Sequence, residues 1–482
     1  MLNLKAKVDD FPESVHVRSG IYFSIGGVFG SALFWLASFK VVAYWLGPAG
    51  VGLYSQLRQI AQAATVGATF GGTNVVVQGL SAREDEGERE RFRTTASRLI
   101  GTTGAAVALL ILCFAPTLTR FFLSSDDPGL IASVRWLGFA VLLNVGATYV
   151  IAVLNGYRAY RYLALAQVSG PFGLAMALGA AYFLQVRYRP EMLVWVFLLC
   201  FGISYGVGAW GITHLTRSLG AISPGRLSLR ETRAFVAFAF SNCFAALSTT
   251  IALLLIRSWI IESRGLAFAG LFDAGWTLTF NYTTLFLTAC STVYLPLLTR
   301  STEPGSQRAC MLKTAYLVLA GVTLVCYLMV AFKTPLIRLL YSNQFDAAGN
   351  LLVILAVAVI VRGVSWVYGM ILVATRNSRL LLFSDLLLNA GLVTLVWYCL
   401  RNYPTLEALG WAFVAANLLY LVFVIEYARR KNSRMQRRRI WPLVALATLP
   451  LVMNWGQAQW VQLTIGFTVS AIAWRAHQKV TA

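Results

Sequence analysis

The chain has 482 residues, of which 58% are apolar and only 12% charged, with a net charge of +21. A soluble domain carries about 25% charged residues, so this composition excludes an ordinary water-soluble protein and points to the bilayer as the main solvent. A charge of this size suggests nucleic acid only if it is clustered on a soluble surface, and here it is spread over connections between apolar runs.

The amino-terminal 20 residues contain Asp9, Asp10, Pro12 and Glu13, and the apolar stretch that follows runs from Ile21 to Leu46. It is too long and wrongly flanked for a cleavable leader, and reads as the first membrane span. Further apolar runs of spanning length lie near 50–80, 95–118, 130–155, 161–186 and 191–215. A second set lies near 232–260, 266–298, 311–333, 348–374, 379–400 and 405–428, followed by a shorter pair near 441–455 and 459–474. The expectation is an all-α integral membrane protein with 12 transmembrane helices and a possible C-terminal pair. If the amino terminus is cytoplasmic, the even-numbered connections and the tails hold most of the 40 Lys and Arg residues, as the positive-inside rule requires. The densest group, between Arg429 and Arg439, suits an anionic lipid surface. Ser81-Ala-Arg-Glu84 has the form of a capping box opening a short charged helix.

Sliding the chain by 218 residues aligns Gly47 with Gly265, Gly52 with Gly270, Arg120 with Arg338, Ser124 with Ser342, Arg158 with Arg376 and Gly173 with Gly391. Each copy holds six spans, an even number, so the copies share one topology and form two parallel-repeat six-helix lobes. The expected domains are residues 1–220, residues 221–430, and a basic linker with a short hydrophobic pair over 431–482. Parallel repeats of this kind imply alternating access, with substrate bound between lobes.

Four basic residues fall inside spans: Lys40, Arg58, Arg135 and Arg362, and Arg257 ends span seven. An intramembrane cation costs about 2.5–3.5 kcal/mol on insertion scales, so each should face a cavity or an anion, unless it snorkels. The acids placed firmly within spans are Asp273 and Asp385. The excess of cations selects an anionic ligand. Gln59 and Gln62 flank Arg58, and with Asn74 they offer hydrogen bonds beside the cation. The seven cysteines have no paired spacing, the three histidines form no metal or catalytic motif, and no phosphate-binding P-loop occurs. Neither a metal, a cofactor nor catalytic residues are expected.

The segment Leu46-Gly-Pro-Ala-Gly-Val-Gly-Leu53 with Gln56-Leu-Arg-Gln59, then Ser291-Thr-Val-Tyr-Leu-Pro296 with Leu298-Thr-Arg300, then Leu339-Leu-Tyr-Ser-Asn-Gln-Phe345, resembles the O-antigen and enterobacterial-common-antigen flippases. These are polysaccharide transporters of the multidrug/oligosaccharidyl-lipid/polysaccharide exporter (MOP) superfamily, whose drug exporters (MATE) share the two-lobe fold. The resemblance implies a MATE-like fold, an inner-membrane location and an undecaprenyl-pyrophosphate-linked glycan as cargo, with membrane lipids, a polysaccharide polymerase and a chain-length regulator as partners. It implies basic residues at Lys40 and Arg58; Arg135, Arg257 and Arg362 rest on charge alone. Coupling to an ion gradient makes Asp273 and Asp385 candidate coupling sites. The alternatives are a peptidoglycan lipid-precursor flippase, a drug or organic-cation antiporter, and a membrane-embedded glycan polymerase or ligase. The antiporter should carry acids in its cavity, and the enzymes should carry a long outer loop.

Overall fold

The computed structural model describes residues 13–71, 74–83, 85–219, 229–300, 304–374, 378–431, 441–453 and 459–481. Glu84, Arg376 and positions 432–439 of the basic group lie outside the described residues. Helices account for nearly all of the rest, and the described residues contain no strand. This is the outcome that hydrocarbon enforces, because every backbone polar group must be satisfied within its own segment or a closed barrel.

Helix α1 (Glu13–Ala68) contains the first span and most of the second. The two arms meet without a loop at Gly47, whose φ of 64° and ψ of −163° form a pair essentially restricted to glycine. Pro48 follows, where a missing N–H costs nothing at the start of the second arm. The expected second span, 50–80, is interrupted. After Ala68 the chain turns through Phe70 and Gly71, both at positive φ, and resumes as the short α2 (Asn74–Ser81). Glycine's freedom at positive φ makes this break.

Helix α3 (Glu86–Cys113) is capped not by Ser81 but by Asp85, whose carboxylate accepts from the Glu88 N–H at 2.9 Å. Ser81 ends α2 and donates its hydroxyl back to the Val77 carbonyl. A box of the same type, Asp85 to Glu88, therefore lies four residues beyond the expected one. The first unit continues with α4 (Ala115–Leu123), α5 (Pro128–Gly156), α6 (Tyr160–Phe183) and α7 (Pro190–Leu219). Helix α5 is central and packs against α3 and α7.

Helix α8 (Leu229–Trp276) repeats the bend of α1 at Gly265, with φ 84° and ψ 173°. A π turn (Thr277–Asn281) leads into α9 (Tyr282–Arg300). Then come α10 (Pro304–Ala331), α11 (Lys333–Leu340), a single 3-10 turn, α12 (Ala348–Ala374), α13 (Ser378–Asn402) and α14 (Leu406–Lys431). The last two helices are α15 (Trp441–Met453) and α16 (Gln459–Thr481). The apolar α12 is the buried centre of this unit, packed by α10, α14 and α15, while α16 packs along α10. Tyr327 on α10 donates to the Ala447 carbonyl of α15 at 3.2 Å.

Helical segments occur at each expected span, and nine helices among the described residues are long and apolar enough to cross a membrane. Many large apolar side chains, such as Leu33, Phe139, Phe172, Trp195 and Phe383, are exposed. Such a surface is at home in lipid. The connections before the fourth and tenth apolar runs are partly helical: α4 and α11 are short amphipathic helices. Each carries a repeat arginine tied to a following acid, Arg120 to Asp126 and Arg338 to Asp346. The Arg338 guanidinium holds the Asp346 carboxyl below the usual carboxylate range, so this pair stays charged at neutral pH.

The chain divides into two compact units, one of residues 1–45 and 56–254, the other of residues 46–55 and 255–482. The small stretch 46–55 is therefore packed with the second unit. Repeat-equivalent residues touch there. A Cβ on Gly52 would overlap the Leu266 carbonyl oxygen, and one on Gly270 would overlap the Pro48 carbonyl oxygen. The Ser55 hydroxyl donates to Asp273 at 2.7 Å, Asp273 forms an ion pair with Arg257, and Arg257 donates to the Ser55 carbonyl at 3.3 Å. All three are buried, with Asp273 at 0% and Arg257 at 3% exposure.

Two outcomes follow from this packing. Gly52→Ala and Gly270→Ala should each lower the thermal stability of the purified protein, by about 1–3 kcal/mol or more. Gly101→Ala, whose Cβ would meet nothing within 4 Å, should be neutral. Removing one member of the buried pair, by Arg257→Met or Asp273→Leu, should cost about 3–5 kcal/mol, and the double substitution should recover much of the loss. Equal losses in the single and double variants, read by thermal unfolding in detergent, would refute this account.

Candidate functional site

The expected site residues divide between the two units. In the first unit, Arg58 is half-buried, and its guanidinium carbon lies 4.8 Å from the Phe39 ring centroid and 5.5 Å from that of Trp35. Resting a cation on two aromatic faces keeps its charge while lowering the cost of removing it from water. Among the described residues, no carboxylate forms an ion pair with it. Its neighbour Gln59 is buried and turned away, donating to the Thr250 carbonyl at 3.3 Å. Gln62, Asn74, Lys40 and Arg135 are all exposed. Of the expected hydrogen-bonding group around Arg58, Gln59 is committed to the scaffold.

Beside Arg58, and sharing Trp35 with it, lies a cavity of about 370 Å³. Its polar lining comes from four helices: Ser31 of α1, Asn144 and Thr148 of α5, Gln167 of α6, and Ser204 of α7. Trp35 and Phe201 supply flat apolar walls. The helices approach closely because Gly170 leaves room for the Ser204 hydroxyl and the Cys200 carbonyl. Pro171, one residue on, has no N–H and so removes the α-helical donor from the Gln167 carbonyl. Asn144 is held in place by donating to the Thr65 hydroxyl at 2.9 Å. None of the lining residues is charged.

In the second unit, Arg362 of α12 places its guanidinium carbon 5.7 Å from the Phe280 ring centroid. Phe280 is stacked on Trp276 with centroids 4.1 Å apart and an interplanar angle of 8°, and Phe413 leans on both. The π turn at Thr277–Asn281 sets this arrangement, since one extra residue per turn rephases the side chains. Asp385 of α13 and Tyr420 of α14 act electrostatically on Arg362. Among the described residues, neither Arg362 nor Asp385 forms an ion pair within 4 Å. Arg257 and Asp273, expected respectively to meet substrate and to couple an ion, instead compensate one another beside Ser55.

Sequence reasoning found the cations but not the cavity. Gln167, Thr148 and Ser204 are ordinary polar residues in apolar helices, and only the Gly170-Pro171 pair marks their neighbourhood in the sequence.

No protein-family model matches the chain. It is similar to the lipid III flippase of Escherichia coli (strain K12), at 22% identity over 393 residues that cover 79% of this chain and 90% of that protein. The Shigella flexneri lipid III flippase matches to the same extent. Among solved structures, the lipid II flippase MurJ in an inward closed conformation superposes with a TM-score of 0.67 at 13% identity, covering 94% of this chain and 98% of that one. An outward-facing MATE-family multidrug resistance transporter of the MOP superfamily gives a TM-score of 0.59 at 16% identity, covering 88% and 96%. These proteins are flippases and transporters, not catalysts, and the chain is an all-α, multi-pass membrane protein with the fold of the MOP-superfamily transporters.

Proposed function

We propose that the protein is a flippase for a polyprenyl-pyrophosphate-linked saccharide in the bacterial inner membrane. The observation that carries this reading is the excess of cations within the spans. Arg58 and Arg362 rest on aromatic faces without an ion pair among the described residues, whereas Asp273 is already compensated by Arg257. A pyrophosphate is the complementary ligand, and an organic cation is not. The likeness to a lipid III flippase over most of both chains supports the same class of cargo.

The relatives bear unequally on the finer readings. They are named for lipid III and lipid II, so the peptidoglycan lipid-precursor alternative has more support from them than an O-antigen unit has. A polymerase or a chain-length regulator as partner finds no support among them. The likeness to MATE exporters is one of fold, and the cation excess weighs against a drug antiporter. In this reading no bond is broken: the head group crosses by alternating access, the polyprenyl tail stays in lipid, and the amino terminus is cytoplasmic. Asp385 is the better candidate for ion coupling because, unlike Asp273, it has no ion pair within 4 Å among the described residues.

The test is reconstitution into liposomes that carry undecaprenyl-pyrophosphate-linked saccharides in one leaflet. The protein should accelerate their appearance in the other leaflet. Arg58→Ala and Arg362→Ala should each slow it about tenfold, as expected for losing a charge-assisted hydrogen bond worth ~1.5 kcal/mol, and Lys at either position should restore part of the rate. A full rate with alanine at both positions would sink the proposed role of these arginines, and no acceleration by the wild type would sink the flippase. Comparing a peptidoglycan-type disaccharide head with a surface-polysaccharide repeat unit identifies the cargo. Asp385→Asn should abolish any dependence of the rate on an imposed ion gradient.

A further inference from the structure

We propose that the cavity in the first unit is a saccharide subsite, which takes the neutral sugar ring next to the pyrophosphate of the cargo. The proposal rests on the flippase reading for its cargo, but the subsite itself is argued from the cavity's chemistry.

The lining excludes charged ligands. Neither an acid nor a base lines the cavity, so a phosphate would find no cation within it and an organic cation no carboxylate. What the walls present is one carboxamide from each of two helices, three hydroxyls (Ser31, Thr148 and Ser204), and the faces of Trp35 and Phe201. This set matches a pyranose. Its hydroxyls donate and accept around the rim, and its C–H face packs on the electron-rich face of an aromatic ring.

Two observations indicate that acceptors are held ready. The side-chain oxygen of Gln167 is buried and has no hydrogen-bond partner among the described residues. An acceptor left in that condition carries a desolvation penalty that a ligand hydroxyl relieves. Pro171 also deprives the backbone carbonyl of the same residue of its α-helical donor. Gln167 thus lines the cavity four residues before Pro171, with two oxygens short of a donor. Asn144 is oriented by its bond to Thr65, so its carboxamide oxygen remains to accept.

Size and neighbourhood narrow the ligand. At about 370 Å³ the cavity is near the lower end of the roughly 300–1,000 Å³ typical of small-molecule sites, which suits one or two rings and not a whole oligosaccharide. Trp35 belongs to the cavity wall and also carries the Arg58 guanidinium 5.5 Å from its centroid. A sugar against Trp35 therefore has a cation at hand for the phosphate attached to it, which selects the ring at the lipid-linked end of the glycan.

The test uses the purified full-length protein in detergent, with the methyl glycosides of glucose and of N-acetylglucosamine as probes and saturation-transfer NMR as readout. The wild type should transfer saturation to the ring protons of at least one probe. Trp35→Leu and Gln167→Leu should each weaken binding at least fivefold. Trp35→Phe should retain it, as should Trp195→Leu, which alters an exposed tryptophan outside the cavity on α7. Tetraphenylphosphonium should not compete. Unchanged binding in folded Trp35→Leu and Gln167→Leu proteins would overturn the proposal, as would competition by the organic cation. Flipping of the lipid-linked saccharide, measured in parallel, separates the two readings. If both variants flip at the wild-type rate and no sugar binds, the subsite falls and the flippase stands. If sugar binds as described but the wild type flips nothing, the flippase reading falls and the subsite stands.

Discussion

Hydrocarbon supplies no hydrogen bonds, and the architecture follows from that constraint. Every backbone group in the core must be paired within its own helix, so each interruption needs a local reason. The breaks fall at glycines, at Gly47 and Gly265, where only glycine is comfortable, and at Phe70-Gly71, while α6 runs unbroken through Gly170-Pro171 and loses one N–H donor there. These places also carry what is distinctive. The first two bring repeat-equivalent residues into contact, and the last shapes the wall of a polar cavity.

The same solvent makes each buried charge expensive, and the protein meets the cost in two ways. Arg257 is compensated by Asp273 with Ser55 completing the cluster, a closed arrangement whose value is structural. Arg58 and Arg362 are laid on aromatic rings, an arrangement that lowers the cost of burial yet leaves the charge able to attract an anion. In the 218-residue register Phe39 corresponds to Arg257, so the repeat places an aromatic support for Arg58 where its copy places half of an ion pair. The two copies of this position thus serve two physical purposes.

The lining of the first-unit cavity adds a third solution, which is to keep polar groups neutral. Carboxamides and hydroxyls tolerate an apolar setting far better than ions do, and they suit a ligand made of hydroxyl groups. Trp35 joins the two kinds of surface, since it lines the cavity and also faces the Arg58 guanidinium, and the proposed cargo of a charged phosphate with a neutral glycan would use both.

How much of this the sequence determined depends on the range of the interaction. Apolar run length is a local property, so the helical class and the order of spans were legible from composition alone, as was the repeat, since Gly and Arg recur at fixed spacing. The scarcity of charge in the spans likewise singled out Arg58, Arg362, Asp273 and Asp385. The sequence misjudged features settled by a few kcal/mol between near-equal alternatives: Asp85 rather than Ser81 as the cap of α3, and the break after Ala68 inside an unbroken apolar run. Only the tertiary structure decided which charges are compensated and which are not, because Arg257, Asp273 and Ser55 meet through packing between distant stretches of chain. The same is true of the cavity. Its residues come from four helices, and no spacing along the chain records that Trp35, Asn144, Gln167 and Ser204 face one another.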